Sequence, residues 1–207
     1  MSKKILTTPV KTEDIKDLRV GDIVYLNGTL VTGRDDVYLR VVREGMECPV
    51  DFRGIANIHS GPIVKEEAGK NTMISIGPTS SIRMEANAKG FIEKSGVKII
   101  VGKGGMGPKT SQACRENGVI HCVFPGGCAV MAANCVEEIE NVFWRELGMP
   151  ECLWVMRVRE FGPLIVSIDT EGNNMFLDNK IYYASKKAEC MSPIIESVKD
   201  YMNIHLQ

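Results

Sequence analysis

The sequence has 207 residues, 44% of them hydrophobic and 6% aromatic, with 25 Lys+Arg set against 26 Asp+Glu. That length suits one domain with a sizeable core, and the cancelling charges exclude a global basic field for a nucleic-acid backbone. No apolar run approaches the ~20 residues that span a bilayer. The N-terminus shows no secretory pattern, and seven cysteines without one point to free thiols in a reducing cytoplasm.

Residues 1–20 read as a lead-in strand and loop, interrupted at Pro9. Between 22 and 32 two β-rich runs flank Asn27-Gly28, a pair that favours a tight hairpin turn. The apolar spacing from Arg34 to about Glu44 fits a short helix. Residues 45–62 are irregular apart from a candidate strand at 55–58. Strands and helices then alternate: a strand at 72–76, a helix at 79–95, a strand at 97–101 and a helix at 108–117 with proline in its first turn. A strand at 119–124 leads to a long helix at 128–147, ended by Gly148 and Pro150. Strands at 153–158 and 164–168, a polar turn at 169–174 and a helix at 185–205, kinked or broken at Pro193, complete the chain. The expected fold is a single α/β domain over 1–207, of β/β/α character with a mixed sheet and flanking helices.

Three glycine turns fall at element ends, and each offers a cation. Gly102-Lys103-Gly104-Gly105-Met106-Gly107 matches a dinucleotide fingerprint in form. It comes late in the chain, however, and the next strand ends in Pro125-Gly126-Gly127 with no acidic residue for a ribose. Pro108 likewise interrupts a Walker-type phosphate loop. What remains is a turn whose backbone N–H groups and Lys103 could meet an anion. Gly77-Pro78-Thr79-Ser80-Ser81-Ile82-Arg83 places three hydroxyls where a helix should start, so that one of them caps it and Arg83 shares a face with Thr79. Thr32-Gly33-Arg34-Asp35 is the third turn. Cationic turns in a neutral chain with few aromatics suggest a small polyanion such as a dicarboxylate, not a nucleic acid.

The cysteines, at 48, 114, 122, 128, 135, 152 and 190, include no C-x-x-C pair. Cys128 and Cys135 fall on one face of the expected long helix, and Cys122 lies on the opposite side of its strand from His121. Cys128 and Cys135 read as small core hydrophobes, and a metal site built from this chain alone is the less favoured reading.

The ordered set of motifs resembles a known family over nearly the whole chain. These are Thr32-Gly33-Arg34-Asp35, Gly77 to Met84, Gly102-Lys103-Gly104, Leu147-Gly148-Met149-Pro150-Glu151, and Phe161-Gly162-Pro163 with Ile168-Asp169 and Gly172-Asn173. They resemble the β subunit, equivalently the C-terminal domain, of iron–sulfur-dependent class I fumarases and L-tartrate dehydratases. The resemblance implies a swivelling domain that closes over a [4Fe-4S] cluster held by cysteines of a separate α subunit. It implies reversible hydration of fumarate to L-malate, with L(+)-tartrate dehydration as the alternative. Arg34, Arg83 and Lys103 would contact substrate, Thr79 would transfer the proton, and Gly33, Asp35, Gly77, Gly102 and Gly104 would support the turns. Two positions depart from the family pattern. Tyr38 stands where its first motif has histidine, and Gly162 is inserted before Pro163. Two readings of other classes compete: a non-catalytic module that binds small dicarboxylates, and a metalloprotein using its own thiols.

Overall fold

A computed structural model describes residues 4–205. Strand β1 (Lys4–Thr7), a short helix α1 (Thr12–Ile15) and strand β2 (Ile23–Thr32) open the chain. Helix α2 (Asp35–Val42) leads to β3 (Ala56–Ile58) and to the antiparallel pair β4 (Ile63–Glu67) and β5 (Lys70–Ser75). A 3-10 turn, Ser81–Met84, runs into α3 (Glu85–Ser95). Next come β6 (Ile99–Gly102), α4 (Pro108–Asn117), β7 (Ile120–Val123) and the short helix α5 (Ala129–Ala133). Strand β8 (Val136–Phe143), the long strand β9 (Leu153–Ile168) and helix α6 (Met175–His205) follow. This is the expected mixed α/β fold. No helix among the described residues is long and apolar enough to cross a membrane.

Seven strands form one mixed sheet in the order β1-β2-β3-β6-β7-β9-β8, and β9 also pairs with β2. Strands β2, β3, β6 and β7 run parallel, and antiparallel β9 closes them into a ring. Its Ile165 is registered against both Ile23 of β2 and Val123 of β7. Side-chain alternation then sorts the core into two clusters. Leu30, Ile58, Val101, Cys122 and Val166 pack on one face. Val31 and Ile100 face the other way, and a register shift between β7 and β9 lets Ile168 join them, where Tyr38, Phe91 and Cys114 of the three crossover helices cover them. Because β2, β3 and β6 are parallel neighbours, their carboxyl ends lie side by side. That is where ligands approach parallel sheets.

Several local expectations are corrected. Asn27-Gly28 is not a hairpin turn, since β2 runs straight through it, with register shifts between Val24 and Leu26 and between Leu26 and Gly28. Gly28 has φ +89°, and a Cβ there would come within 2.5 Å of the Thr8 carbonyl oxygen. The positive φ that a type I′ turn would use serves here as a bulge, at the point where β2 changes neighbour from β1 to β3. The long helix expected at 128–147 is instead α5 followed by strand β8. Val136, Ile139 and Val142 recur every three residues because two bulges against β9 each insert a residue. The bulged strand therefore imitates helical spacing. Strands at 153–158 and 164–168 are one strand, β9. The last helix starts ten residues earlier than expected, at Met175, where the Asn174 side chain accepts N–H bonds from Phe176 and Leu177. It continues through Pro193 without a break.

Two histidines are fully buried. His121 on β7 pairs its Nδ1 with Ser167 Oγ at 2.6 Å, and its Nε2 has no partner. Burial pushes His121 down to about 3. His59, just after β3, is held well below 6.5 by burial and then by electrostatic coupling to His121 and Arg83. Both rings are therefore neutral in the folded protein and free to protonate once it unfolds. Stability should fall on acidification, by up to about 2.7 kcal/mol per pH unit once the pH is below the ordinary histidine value. Urea unfolding between about pH 7 and pH 5 measures this. A midpoint that does not move would show the two rings titrating alike in both states.

Candidate functional site

The chain after Pro78 does not begin a helix. Thr79 N–H donates to the His59 carbonyl (2.7 Å), Lys103 N–H to the Thr79 carbonyl (3.2 Å), and Ser81 N–H to the Lys103 carbonyl (3.0 Å). Residues 79–81 are thereby held extended between the ends of β3 and β6, with bridges pairing Ser60 with Pro78 and Ser80 with Lys103. None of the three hydroxyls caps the helix as expected. Ser80 makes no side-chain cap, and Ser81 turns inward to His59 Nδ1 at 2.9 Å. Thr79 accordingly does not share a helix face with Arg83. It is partly exposed, and among the described residues its hydroxyl has no hydrogen-bond partner.

The two arginines meet across this segment. Arg83, in the 3-10 turn, donates from Nε and Nη2 to the two carboxylate oxygens of Asp35 at 3.2 and 2.6 Å. Arg34 reaches the same carboxylate at 3.3 Å and Glu151 at 2.6 Å. Burial raises the Asp35 carboxyl, but the Arg83 hydrogen bond and the two arginine charges outweigh it and leave the group below its ordinary value. Glu151 is shifted the other way, because its burial outweighs the Asp36 N–H and the Arg34 charge. Its second oxygen accepts that N–H at 3.2 Å and so fills the first turn of α2. Glu151 belongs to the Leu147–Glu151 motif, which the sequence offered as a family mark without a role. Its function as a clamp on Arg34 becomes visible only where that loop meets α2.

Lys103 is exposed, and no carboxylate of the described residues pairs with it. A cleft of about 410 Å³ beside it is lined by Ser80, Lys103, the glycines of the turn, Phe176 and Lys180. Lys180 is a cation that the glycine motifs did not reveal. Three turns thus converge as their sequences suggested: Asp35 joins the first to the second, and backbone bonds join the second to the third.

The glycines serve packing more than anion contact. A Cβ at Gly102 would overlap the Ser81 hydroxyl, and one at Gly33 would lie 2.8 Å from the Asn57 side-chain nitrogen. Gly77 packs against Ala129, and Gly104 takes a left-handed φ of +72°. The N–H groups at the head of α4, where the 102–107 turn runs into the helix, are already occupied. Glu85 accepts from Gly107 N–H (2.7 Å), Lys109 N–H (3.0 Å) and Thr110 N–H (3.3 Å), and from the Thr110 hydroxyl (2.5 Å). An internal carboxylate fills the site that a phosphate would need. Cys122 and Cys152 are buried, and burial pushes their thiols up to about 12 and about 11, so both stay protonated at neutral pH. Cys128 and Cys135 flank α5 instead of sharing a helix, although both pack on the core. Glu85→Ala should lower unfolding free energy by about 2–3 kcal/mol, because it strands three N–H groups and a hydroxyl. Denaturant titration checks this, and a cost within error of zero would remove Glu85 from the support of the turn.

The family model described as "Fumarase C-terminus" matches residues 2–179. The L(+)-tartrate dehydratase subunit beta of Escherichia coli K12 is 53% identical over 201 residues, which cover 97% of this chain and 98% of that one. A putative L(+)-tartrate dehydratase subunit beta of Methanocaldococcus jannaschii is 40% identical over 82% of this chain and 90% of its own length. A putative class I fumarate hydratase of Geobacillus stearothermophilus is 36% identical over 91% of this chain but only 36% of its own, longer sequence. With these likenesses spread over nearly its full length, the chain belongs to the fumarase C-terminus family of hydro-lyase components.

Proposed function

We propose that this chain is the β subunit of a two-subunit hydro-lyase that acts on a C4 dicarboxylate. The observation that carries the reading is that shared carboxylates and backbone bonds bring the Arg34, Thr79–Arg83 and Lys103 turns together at one sheet end, with a Thr79 hydroxyl that has no hydrogen-bond partner among the described residues. Asp35 and Glu151 hold the two arginines there, and Lys103, which pairs with no carboxylate of the described residues, supports binding of an anion. Fumarate is the substrate that the sequence motifs suggest first. The 53% identity to a tartrate dehydratase subunit, against 36% to a putative fumarate hydratase, favours L(+)-tartrate instead.

The arginines present planar forks that match carboxylates, with Asp35 and Glu151 holding them in register until substrate competes for them. Lys103 offers a compact charge to the electron density that builds on a carboxylate as the neighbouring C–H proton leaves. In this reading Thr79 Oγ takes or returns that proton, and the backbone bonds that fix the residue on both sides support the role. A threonine hydroxyl alone is a weak base. Asp35 is a poor relay for it, because the arginines lower its basicity. The base behind Thr79 is therefore assigned to the α subunit.

The same reading assigns the [4Fe-4S] cluster to the α subunit. Among the described residues of this chain, no three His, Cys, Asp or Glu side chains are grouped to hold a metal ion. When bound there, such a cluster supplies a Lewis acid for the departing hydroxyl.

The test is an assay of the co-expressed α–β pair on L(+)-tartrate and on fumarate. Turnover of tartrate above fumarate is expected, and the reverse ranking would restore the fumarate reading. Thr79→Ala should cut kcat by about 10²-fold with KM little changed, and near-wild-type turnover would take Thr79 out of the reaction. Arg83→Lys should raise KM by about tenfold through loss of the fork. If the isolated chain binds either dicarboxylate tightly in calorimetry and the pair turns over neither, the non-catalytic module is the better description.

A further inference from the structure

Beneath the cationic turns lies a row of buried polar side chains with a single consistent direction. Asn57 Nδ2 faces two carbonyls, Val31 at 3.2 Å and Gly33 at 3.3 Å, so it must be the donor there, and its Oδ1 must be the atom facing Tyr38. The Tyr38 hydroxyl has one proton, and Asn57 Oδ1, at 3.0 Å, can only accept it. Tyr38 Oη also lies 2.8 Å from His59 Nε2, so that nitrogen must carry a hydrogen and donate. A neutral ring then has a bare Nδ1, which accepts from Ser81 Oγ at 2.9 Å. Ser81 Oγ in turn accepts the Lys103 N–H at 3.2 Å. Tyr38, Asn57, His59 and Ser81 are all buried, and each of the polar atoms in this row has the partner it needs. An imidazolium would leave the Ser81 proton without an acceptor. The opposite tautomer would demand two protons from Tyr38. Burial also disfavours the charged ring.

We propose that His59, as the neutral Nε2–H tautomer, is a positioning residue that ties the Gly33–Arg34 turn to the Ser81–Lys103 turn through this chain. Tyr38 supplies the link that closes it. The tie bears directly on Thr79, because the backbone carbonyl of His59 accepts the Thr79 N–H at 2.7 Å. A shift of the ring therefore moves the threonine as well as both cationic turns. The kinetic part of this inference rests on the hydro-lyase reading. The tautomer does not.

Two measurements test it. In the first, a 15N-labelled full-length chain near neutral pH should show the His59 ring protonated at Nε2 and bare at Nδ1, with the signals assigned by their loss in His59→Gln. A proton on Nδ1, or on both nitrogens, would overturn the proposal. In the second, Tyr38→Phe and Ser81→Ala are made singly and together in the α–β pair. Each break should lower kcat by about tenfold with KM within about twofold, since misplacement acts on the reacting geometry. The double variant should lose little more than either single one, because both residues act through the one His59 ring. Losses that multiply, or no loss at all, would overturn the coupling. If the wild-type pair converts neither dicarboxylate, the hydro-lyase reading fails by itself. The tautomer signal then still decides whether the chain of hydrogen bonds exists.

Discussion

The site depends on a three-residue stretch held where a strand could have been. Parallel strands β3 and β6 stop side by side, and the segment 79–81 lies across their ends, accepting one backbone bond and donating two. That placement keeps Thr79 in extended geometry with its side chain directed away from the ladder. It starts the following 3-10 turn so that Arg83 reaches Asp35, and it brings Ser80 against Lys103. Remove the stretch and the three turns become unrelated loops. An ordinary helix start at Thr79 would have used the same hydroxyls as caps and left no threonine free for a ligand.

A second regularity is how charge is allotted. The dipoles at the starts of α2 and α4 are each met by a carboxylate from another part of the chain, Glu151 and Glu85. Four backbone donors at those two helix starts, of Asp36, Gly107, Lys109 and Thr110, are thus occupied internally. The proposed anion-binding groups are side-chain cations, two of them forks and one a point charge, and such a set would respond to the spacing between carboxylates.

Much of this was legible in the sequence. The glycine–cation turns marked the right strand ends, and the family motifs marked their order. Proline at the head of α4 fixed that helix to the residue. What failed did so where one local signal has two physical uses. Asn27-Gly28 announces positive φ, and a bulge consumes that as well as a hairpin does. Val136, Ile139 and Val142 announce a period of three, and a strand bulged twice reproduces it. The Thr79-Ser80-Ser81 run announces a cap, yet its hydroxyls are claimed by a histidine 22 residues earlier or left for a ligand. Glu151 and His59 could not be placed by sequence. Their partners lie 115 and 22 residues away, and only the closed ring of strands brings them together.

Closure of that ring has a further consequence for solubility. Five of the seven strands of the main sheet are paired on both sides, which leaves β1 and β8 as its edge strands among the described residues. Strand β8 is a poor template for a foreign strand. Its bulges break the straight row of donors and acceptors, and Glu137, Glu138 and Glu140 crowd one arginine, Arg157 of β9. A second chain adding there would meet an uneven ladder lined with carboxylates. The irregularity that disguises β8 as a helix thus also guards the sheet against growing beyond it.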